Sequence, residues 1–174
     1  MISVREGQAH VLARVTAVTS PELIPVPLAL GRVLADDIRA TFDVPPADNS
    51  AVDGYAVASA DLPAAGHATL QVIADLPAGS VFDGVVKPGQ AVRIMTGAPM
   101  PAGTDTVVPQ ELVERVGDQV TVRATAKGAN VRLSGEDVRA GAVVIEAGTV
   151  LRPQELGVIA SLGLPQVRTS ECRA

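Results

Sequence analysis

Between Asp43 and Val57 the chain reads Asp-Val-Pro-Pro-Ala-Asp-Asn-Ser-Ala-Val-Asp-Gly-Tyr-Ala-Val. Two consecutive prolines fix their own φ and push the residues before them into extended geometry, so this backbone is stiff and cannot be helical. Asp48, Asn49 and Ser50 can bond their own backbone and turn it. Val52 to Val57 then form a β-type run, in which Gly54 permits a bulge or the close approach of another group. A rigid loop feeding a strand thus carries three carboxylates, Asp43, Asp48 and Asp53.

The rest of the chain has the same grain. Sixteen glycines and thirteen prolines cut 174 residues into short apolar runs, and 47% of residues are hydrophobic. Aromatics are 2%, Phe42, Tyr55 and Phe82 alone, so a core must be built from Val, Leu, Ile and Ala, which favours sheet. Ser3-Val4-Arg5-Glu6 is a capping box that starts a helix. Its apolar face is Val4, Val11, Leu12, Val15 and Val18, and it should reach about Val18. A second helical turn is expected at Leu28 to Leu30 and an extended segment over 32–42. Strands follow at Thr69–Ala74 and Ala91–Met95. Residues 106–116 and 119–124 read as a hairpin around Gly117-Asp118, with Val120, Val122 and Ala124 inward. Short strands at Val143–Ile145 and Val150–Leu151 precede a last helix from Pro153 to before Gly163. Leu156, Ile159, Ala160 and Leu162 are its buried face, and its start is weak because Arg152 holds the cap position. The expectation is a mainly β chain of the α+β class. A coiled, partly barrel-like body of short strands is joined by two terminal helices packed as a separate layer.

A net charge of -5 and a pI near 5.0 argue against a general nucleic-acid surface, which needs clustered Lys and Arg. The lone cysteine, Cys172, cannot form an internal disulfide, and a reducing cytoplasm fits. His10 and His67 are far apart and lack a second cysteine, so no zinc constellation exists. Neither a basic-then-apolar leader nor a run of eighteen apolar residues is present, and no export or membrane span is expected.

Two further stretches carry possible chemistry. In Arg-Ile-Met-Thr-Gly-Ala-Pro-Met-Pro-Ala-Gly-Thr-Asp (93–105) Thr96 offers a hydroxyl, and Gly97 and Ala98 offer amides in a tight turn, a nest suited to an oxyanion; the same turn equally serves to join two strands. In Asn-Val-Arg-Leu-Ser-Gly-Glu-Asp-Val-Arg-Ala-Gly (130–141) Arg132, Glu136 and Asp137 bracket Gly135, and a local Arg–carboxylate pair there is usually structural.

Taken with Asp-Asn-Ser-Ala-Val-Asp-Gly-Tyr-Ala-Val, these three ordered blocks resemble the molybdopterin molybdenumtransferase family, the MoeA-type enzymes that include the E domain of gephyrin and of plant Cnx proteins. The resemblance runs from near Met1 to about Val167. It implies coiled or bifurcated short-stranded sheets in a β-rich inserted domain, residues 27–142, and a helical dimerisation domain formed by residues 1–26 plus 143–174. In the family a pterin-binding α/β domain and a C-terminal β domain follow, so the chain is expected to be a fragment. The reaction implied is insertion of molybdenum from molybdate into adenylylated molybdopterin with release of AMP. This region would supply one wall of the active cleft and be inactive alone.

Both substrates are anions. A carboxylate about 4 Å from a dianion costs roughly 8 kcal/mol at an effective dielectric of 20, so Asp53 and Asp137 suit Mg²⁺ better than they suit molybdate or phosphate. By resemblance Asp53, Thr96 and Asp137 are catalytic; Gly97, Ala98 and Asn49 meet the anion; and Asp53, Asp137, Asp48 and Glu136 hold Mg²⁺. The partners implied are a second copy of the chain, molybdopterin and molybdate, and other molybdenum cofactor biosynthesis proteins. A non-catalytic scaffold, as in receptor clustering by gephyrin, is the alternative; it would need the fold but not the Asp53 and Thr96 side chains.

Overall fold

A computed structural model describes residues 2–14 and 20–170. In chain order the elements are α1 (Val4–Leu12), β1 (Pro21–Pro25), β2 (Ile38–Arg39), β3 (Asn49–Ser50), β4 (Gly54–Val57), β5 (His67–Leu76), β6 (Gln90–Ile94), β7 (Thr106–Pro109), β8 (Glu114–Val116), β9 (Gln119–Arg123), β10 (Val131–Arg132), β11 (Val143–Ile145), α2 (Pro153–Ser161) and β12 (Gln166–Ser170). Single 3₁₀ turns occur at Val26–Leu28, Ser59–Asp61 and Gln110–Leu112. The chain is mostly strands with two helices and a curled mixed sheet, as its short Gly- and Pro-bounded runs require. Its contacts divide it into two units, Met1–Thr41 with Gly141–Ala174, and Phe42–Ala140.

The Phe42–Ala140 unit holds a six-stranded sheet in the order β7-β4-β6-β5-β9-β8, antiparallel throughout except where β5 runs parallel to β6. The β5–β6 ladder slips at Val72–Ala74. Every residue of β4 is buried. Side chains alternate across a strand, and Tyr55 and Val57 accordingly join one apolar cluster with Leu70, Val108, Val120 and Val122, whereas Ala56 joins another with Val92, Ile94 and Val107. Burying an aliphatic side chain the size of Val57 contributes about 1.5–3 kcal/mol, and β4 adds Tyr55 on the same face and Ala56 on the other. Val120 and Val122 point inward as their alternation predicts, but Ala124 is exposed because β9 ends at Arg123.

In the other unit β1 pairs with β12 from Pro21↔Ser170 to Pro25↔Gln166, and β2 pairs with β11. Residues 33–35 lie along the second edge of β12, through Ala35 N–H to Arg168 O and Ser170 N–H to Val33 O, both 2.9 Å or less. This pairing groups residues 27–41 with the chain ends, whereas the sequence reading assigned them to the β-rich insert. Among its described residues the unit has strands β1, β2, β11 and β12 beside its two helices. Helix α2 packs on the Val26–Leu28 turn and buries Ile159 and Leu162, while Ala160 is exposed.

Helix α1 has its capping box, with Ser3 N–H 2.7 Å from a Glu6 carboxylate oxygen, but none of its residues is buried. Val4 is 80% and Leu12 70% exposed, so α1 and α2 do not form a packed layer. The expected continuation through Val15 and Val18 lies outside the described residues, as does Cys172. The start of α2 is firmer than a capless helix would be. Glu155 accepts from the Arg152 backbone N–H at 2.9 Å and from its guanidinium at 2.6 Å, which is one half of a capping box, since a guanidinium has no acceptor to complete the other.

Candidate functional site

The three sequence blocks meet at β3. On one side Gly97 N–H donates to Ser50 O at 2.8 Å and Ser50 N–H donates to Ala98 O at 3.0 Å. On the other, β10 pairs Val131 with Ser50 and Arg132 with Asn49. The proline loop continues the seam: Gly135 N–H donates to Pro45 O, Asp137 N–H to Val44 O, and Ser134 N–H to Asp48 Oδ1 at 2.7 Å. Ala140 N–H donates to Asp43 at 2.8 Å. Ser50 is fully buried, and its Oγ bonds Val52 O at 2.5 Å. The backbone turn expected at Ser50 is present, its Oγ also accepting from Val52 N–H at 3.3 Å, whereas the sequence reading did not single out Ser134.

Asp53 stands at the entry to β4 and Thr96 just beyond β6, which pair antiparallel through Gly54↔Ile94. This register brings the two residues together. Asp53 Oδ1 accepts the Thr96 hydroxyl at 2.6 Å and the Thr96 N–H at 2.8 Å. Two donors on one oxygen, the hydroxyl foremost, hold the Asp53 carboxyl below its ordinary pKa, so it is a carboxylate at neutral pH. Because an ionised carboxylate only accepts, the Thr96 hydroxyl spends its single proton on Asp53 and presents only lone pairs elsewhere. It can receive a bond from a metal-bound water. It cannot donate to an oxyanion.

The expected anion nest is not formed. Thr96 N–H serves Asp53, Gly97 N–H serves Ser50 O, and Ala98 N–H closes the turn on Met95 O at 3.0 Å. All three amides are occupied, so the turn is a joint between strands. Gly54 is corrected too. A Cβ there would overlap the Val108 carbonyl oxygen on β7, so the missing side chain admits a neighbouring strand and leaves no room for a ligand. Asn49 donates its amide to Ala47 O at 3.3 Å, a loop bond.

In the third block Arg132 binds Glu136 at 2.9 Å and Asp137 at 2.5 Å. The second Glu136 oxygen takes Leu133 N–H at 2.9 Å. The guanidinium above all keeps the Glu136 carboxyl below its ordinary range, and the Arg132 pKa is raised in turn. Glu136, with both oxygens engaged, does not fit a Mg²⁺ ligand. Asp48 and Asp137 each have one oxygen engaged. Among the described residues no three Asp, Glu, His or Cys side chains converge on a point a metal could occupy. The four carboxylates therefore form no all-protein cage. Any Mg²⁺ contact would run through a single carboxylate, with phosphate and water completing the shell, and Asp48 and Asp53, neither bonded to a guanidinium, each keep one oxygen free for it. No helix among the described residues is long and apolar enough to cross a membrane.

Residues 2–163 match the family described as the MoeA N-terminal region, domain I and II. The chain is 40% identical over 171 residues to molybdopterin molybdenumtransferase 2 of Mycobacterium tuberculosis, covering 96% of this chain and 42% of that protein. It is 39% identical over 170 residues to molybdopterin molybdenumtransferase of Haemophilus influenzae, covering 97% and 42%. A crystal structure of the molybdopterin biosynthesis MoeA protein from Pyrococcus horikoshii OT3 superposes with a TM-score of 0.93 at 39% identity, over 98% of this chain and 46% of that one. The chain thus spans about two fifths of the length of the relatives it matches. With its three blocks joined at β3 and its residues matched from 2 to 163, the chain belongs to the MoeA N-terminal region family.

Proposed function

We propose that this chain is the N-terminal part of a molybdenum cofactor biosynthesis enzyme, a molybdopterin molybdenumtransferase acting in the cytoplasm as a homodimer, and that it supplies one wall of the cleft in which molybdenum from molybdate enters adenylylated molybdopterin with release of AMP. The observation that carries this reading is the Asp53–Thr96 pair, a carboxylate kept ionised and immobile at the junction of the first two blocks, in a chain whose relatives bear that name. Mg²⁺, when bound, offsets phosphate charge. Asp53 orients what it touches because two bonds fix its carboxylate, and Thr96 holds Asp53 while accepting from water. Arg132 offsets one of the two negative charges of Glu136 and Asp137, which lessens the repulsion of the 132–137 loop toward an anion without removing it.

The test is a chimera in which this chain replaces the matching region of the Mycobacterium tuberculosis relative. Molybdenum insertion and AMP release are expected from the chimera and not from the isolated chain. Asp53→Asn should lower insertion by roughly tenfold or more, the scale on which metal-supporting groups act, with a stability change no greater than an ordinary surface substitution makes. An equal rate with Asn in place would make Asp53 a bystander, and a collapsed melting temperature would make it structural.

A further inference from the structure

Aspartate followed by glycine occurs twice in the chain, at Asp53-Gly54 and Asp83-Gly84. With no Cβ on the glycine, its nitrogen can swing onto the preceding aspartyl Cγ with little hindrance, so ring closure between the two residues depends on whether the backbone is free to turn. The fold treats the two steps differently. Gly54 is buried within β4, paired with Ile94 on one side and Pro109 on the other, and the Val108 carbonyl oxygen presses on the place a Cβ would take. The Asp53 carboxylate is held by the Thr96 hydroxyl at 2.6 Å and the Thr96 N–H at 2.8 Å. Neither reacting atom can move without opening the sheet.

Asp83 and Gly84 lie in the connection between β5 and β6, outside any strand, and both are exposed. Among the described residues Gly84 N–H finds no backbone acceptor. Apart from its chain neighbours, the atoms nearest to a Cβ built on Gly84 belong to the Phe82 ring, at 3.3 Å, so a side chain and no backbone borders this step. Restraint begins one residue later. Val85 bridges Ala102, and the buried Val86 donates its N–H to Ala102 O at 2.8 Å. The Asp83-Gly84 peptide is thus a free link just ahead of an anchored one.

We propose that Asp83-Gly84 is a site of isoaspartate formation, which Asp53-Gly54 escapes. The Gly84 nitrogen attacks Cγ of the Asp83 carboxylic acid; a C–N bond forms, the carboxyl OH leaves with the amide proton as water, and a succinimide closes. Water then opens the ring at the main-chain carbonyl to give an isoaspartyl link with a free α-carboxylate, or at the other carbonyl to restore aspartate. The isoaspartyl form adds one carbon to the main chain just before the Val85–Ala102 bridge and presents the carboxylate that an S-adenosylmethionine-dependent isoaspartyl methyltransferase esterifies. This inference is independent of the transfer reaction. It is tested by holding the full 174-residue chain for weeks at physiological temperature and pH, then locating isoaspartate by electron-transfer fragmentation and counting it by methyl incorporation from such an enzyme. Isoaspartate is expected at residue 83, with about a hundredfold less at residue 53, where reaction waits on local opening of β4. Methyl incorporation should rise with the age of the sample, rise faster in Asp83→Asn, which loses ammonia in place of water, and stay at background in Asp83→Glu, whose larger ring closes poorly. Residue 83 left as aspartate, equal isoaspartate at 53 and 83, or methyl incorporation that persists in Asp83→Glu would overturn the proposal.

Discussion

Asp53 and Thr96 lie 43 positions apart and depend on each other. With both donors on Oδ1, Asp53 has a folded pKa below its unfolded value, so the pair contributes stability above the unfolded value and loses it as pH falls through the folded one. Thr96→Val removes the hydroxyl and keeps the N–H. The Asp53 carboxyl, followed by its carbon resonance, should then titrate closer to the ordinary 3.8, while Thr96→Ser should preserve the depression; an unmoved titration in the valine variant would show the backbone bond to be sufficient. Gly54 is a different kind of residue, defined by the space it lacks. Gly54→Ala drives a Cβ against the Val108 carbonyl, and overpacking of this sort costs about 1–3 kcal/mol. Denaturant unfolding should register that loss, and a stability unchanged by the alanine would mean that β7 can move away.

Strands β5 and β9 were legible because alternation marks their inward residues: Leu70, Val72, Val120 and Val122 are all buried. The Gly117-Asp118 hairpin was legible for the same local reason, a tight turn between matched runs. Their order in the sheet was not, since the β5–β6 parallel pair joins segments whose connection carries only turn signals. At α2 the sequence reading looked for a side chain at the cap and missed the carboxylate three residues on. Arg152 lowers the Glu155 pKa from 4.5 to about 2, so this contact stabilises the fold above about pH 4.5 and fades as pH falls toward 2. Glu155→Gln should therefore lower the melting temperature at neutral pH and converge on the parent near pH 2; a constant difference across that range would place the effect elsewhere. One turn further along α2, Ile159 is fully buried. Ile159→Ala should cost about 2–5 kcal/mol by the usual cavity scale, as measured by denaturant unfolding.

Each of the two contact units has its own buried set. In Phe42–Ala140 it comprises the clusters around Tyr55 and Ala56; in the other unit Ala29, Leu34, Leu151, Ile159 and Val167 are buried. The chain passes between the units at 41–42 and 140–141, and Gly141 N–H bonds Ala40 O at 2.8 Å, so the two crossings are close in space. A fragment spanning 42–140 should fold alone, with dispersed amide resonances and a cooperative melt. Collapsed resonances would show that it needs the chain ends. The proposed homodimer has its test here as well. Ile2, Val4, Val11 and Leu12 are all exposed, and an apolar helix face left in water favours association. Sedimentation should find a dimer that Leu12→Glu weakens, and a monomer at high micromolar concentration would count against it.

Local chemistry alone determined the proline-stiffened loop, the Ser3–Glu6 cap, the inward residues of the strands and the three blocks that identify the family, because each depends on neighbours a few positions away. The tertiary structure decided what those residues are free to do. The amides of Gly97 and Ala98 were open to an anion in the sequence and are taken by β3 and by their own turn, while the Thr96 hydroxyl is spent on Asp53. Gly54, with space for a ligand on paper, has that space filled by β7. Glu136 is claimed by Arg132 and a backbone N–H. In each case the competitor is a donor, acceptor or strand brought in from elsewhere in the chain or from the loop's own closure, and only the folded register says which polar groups are already satisfied.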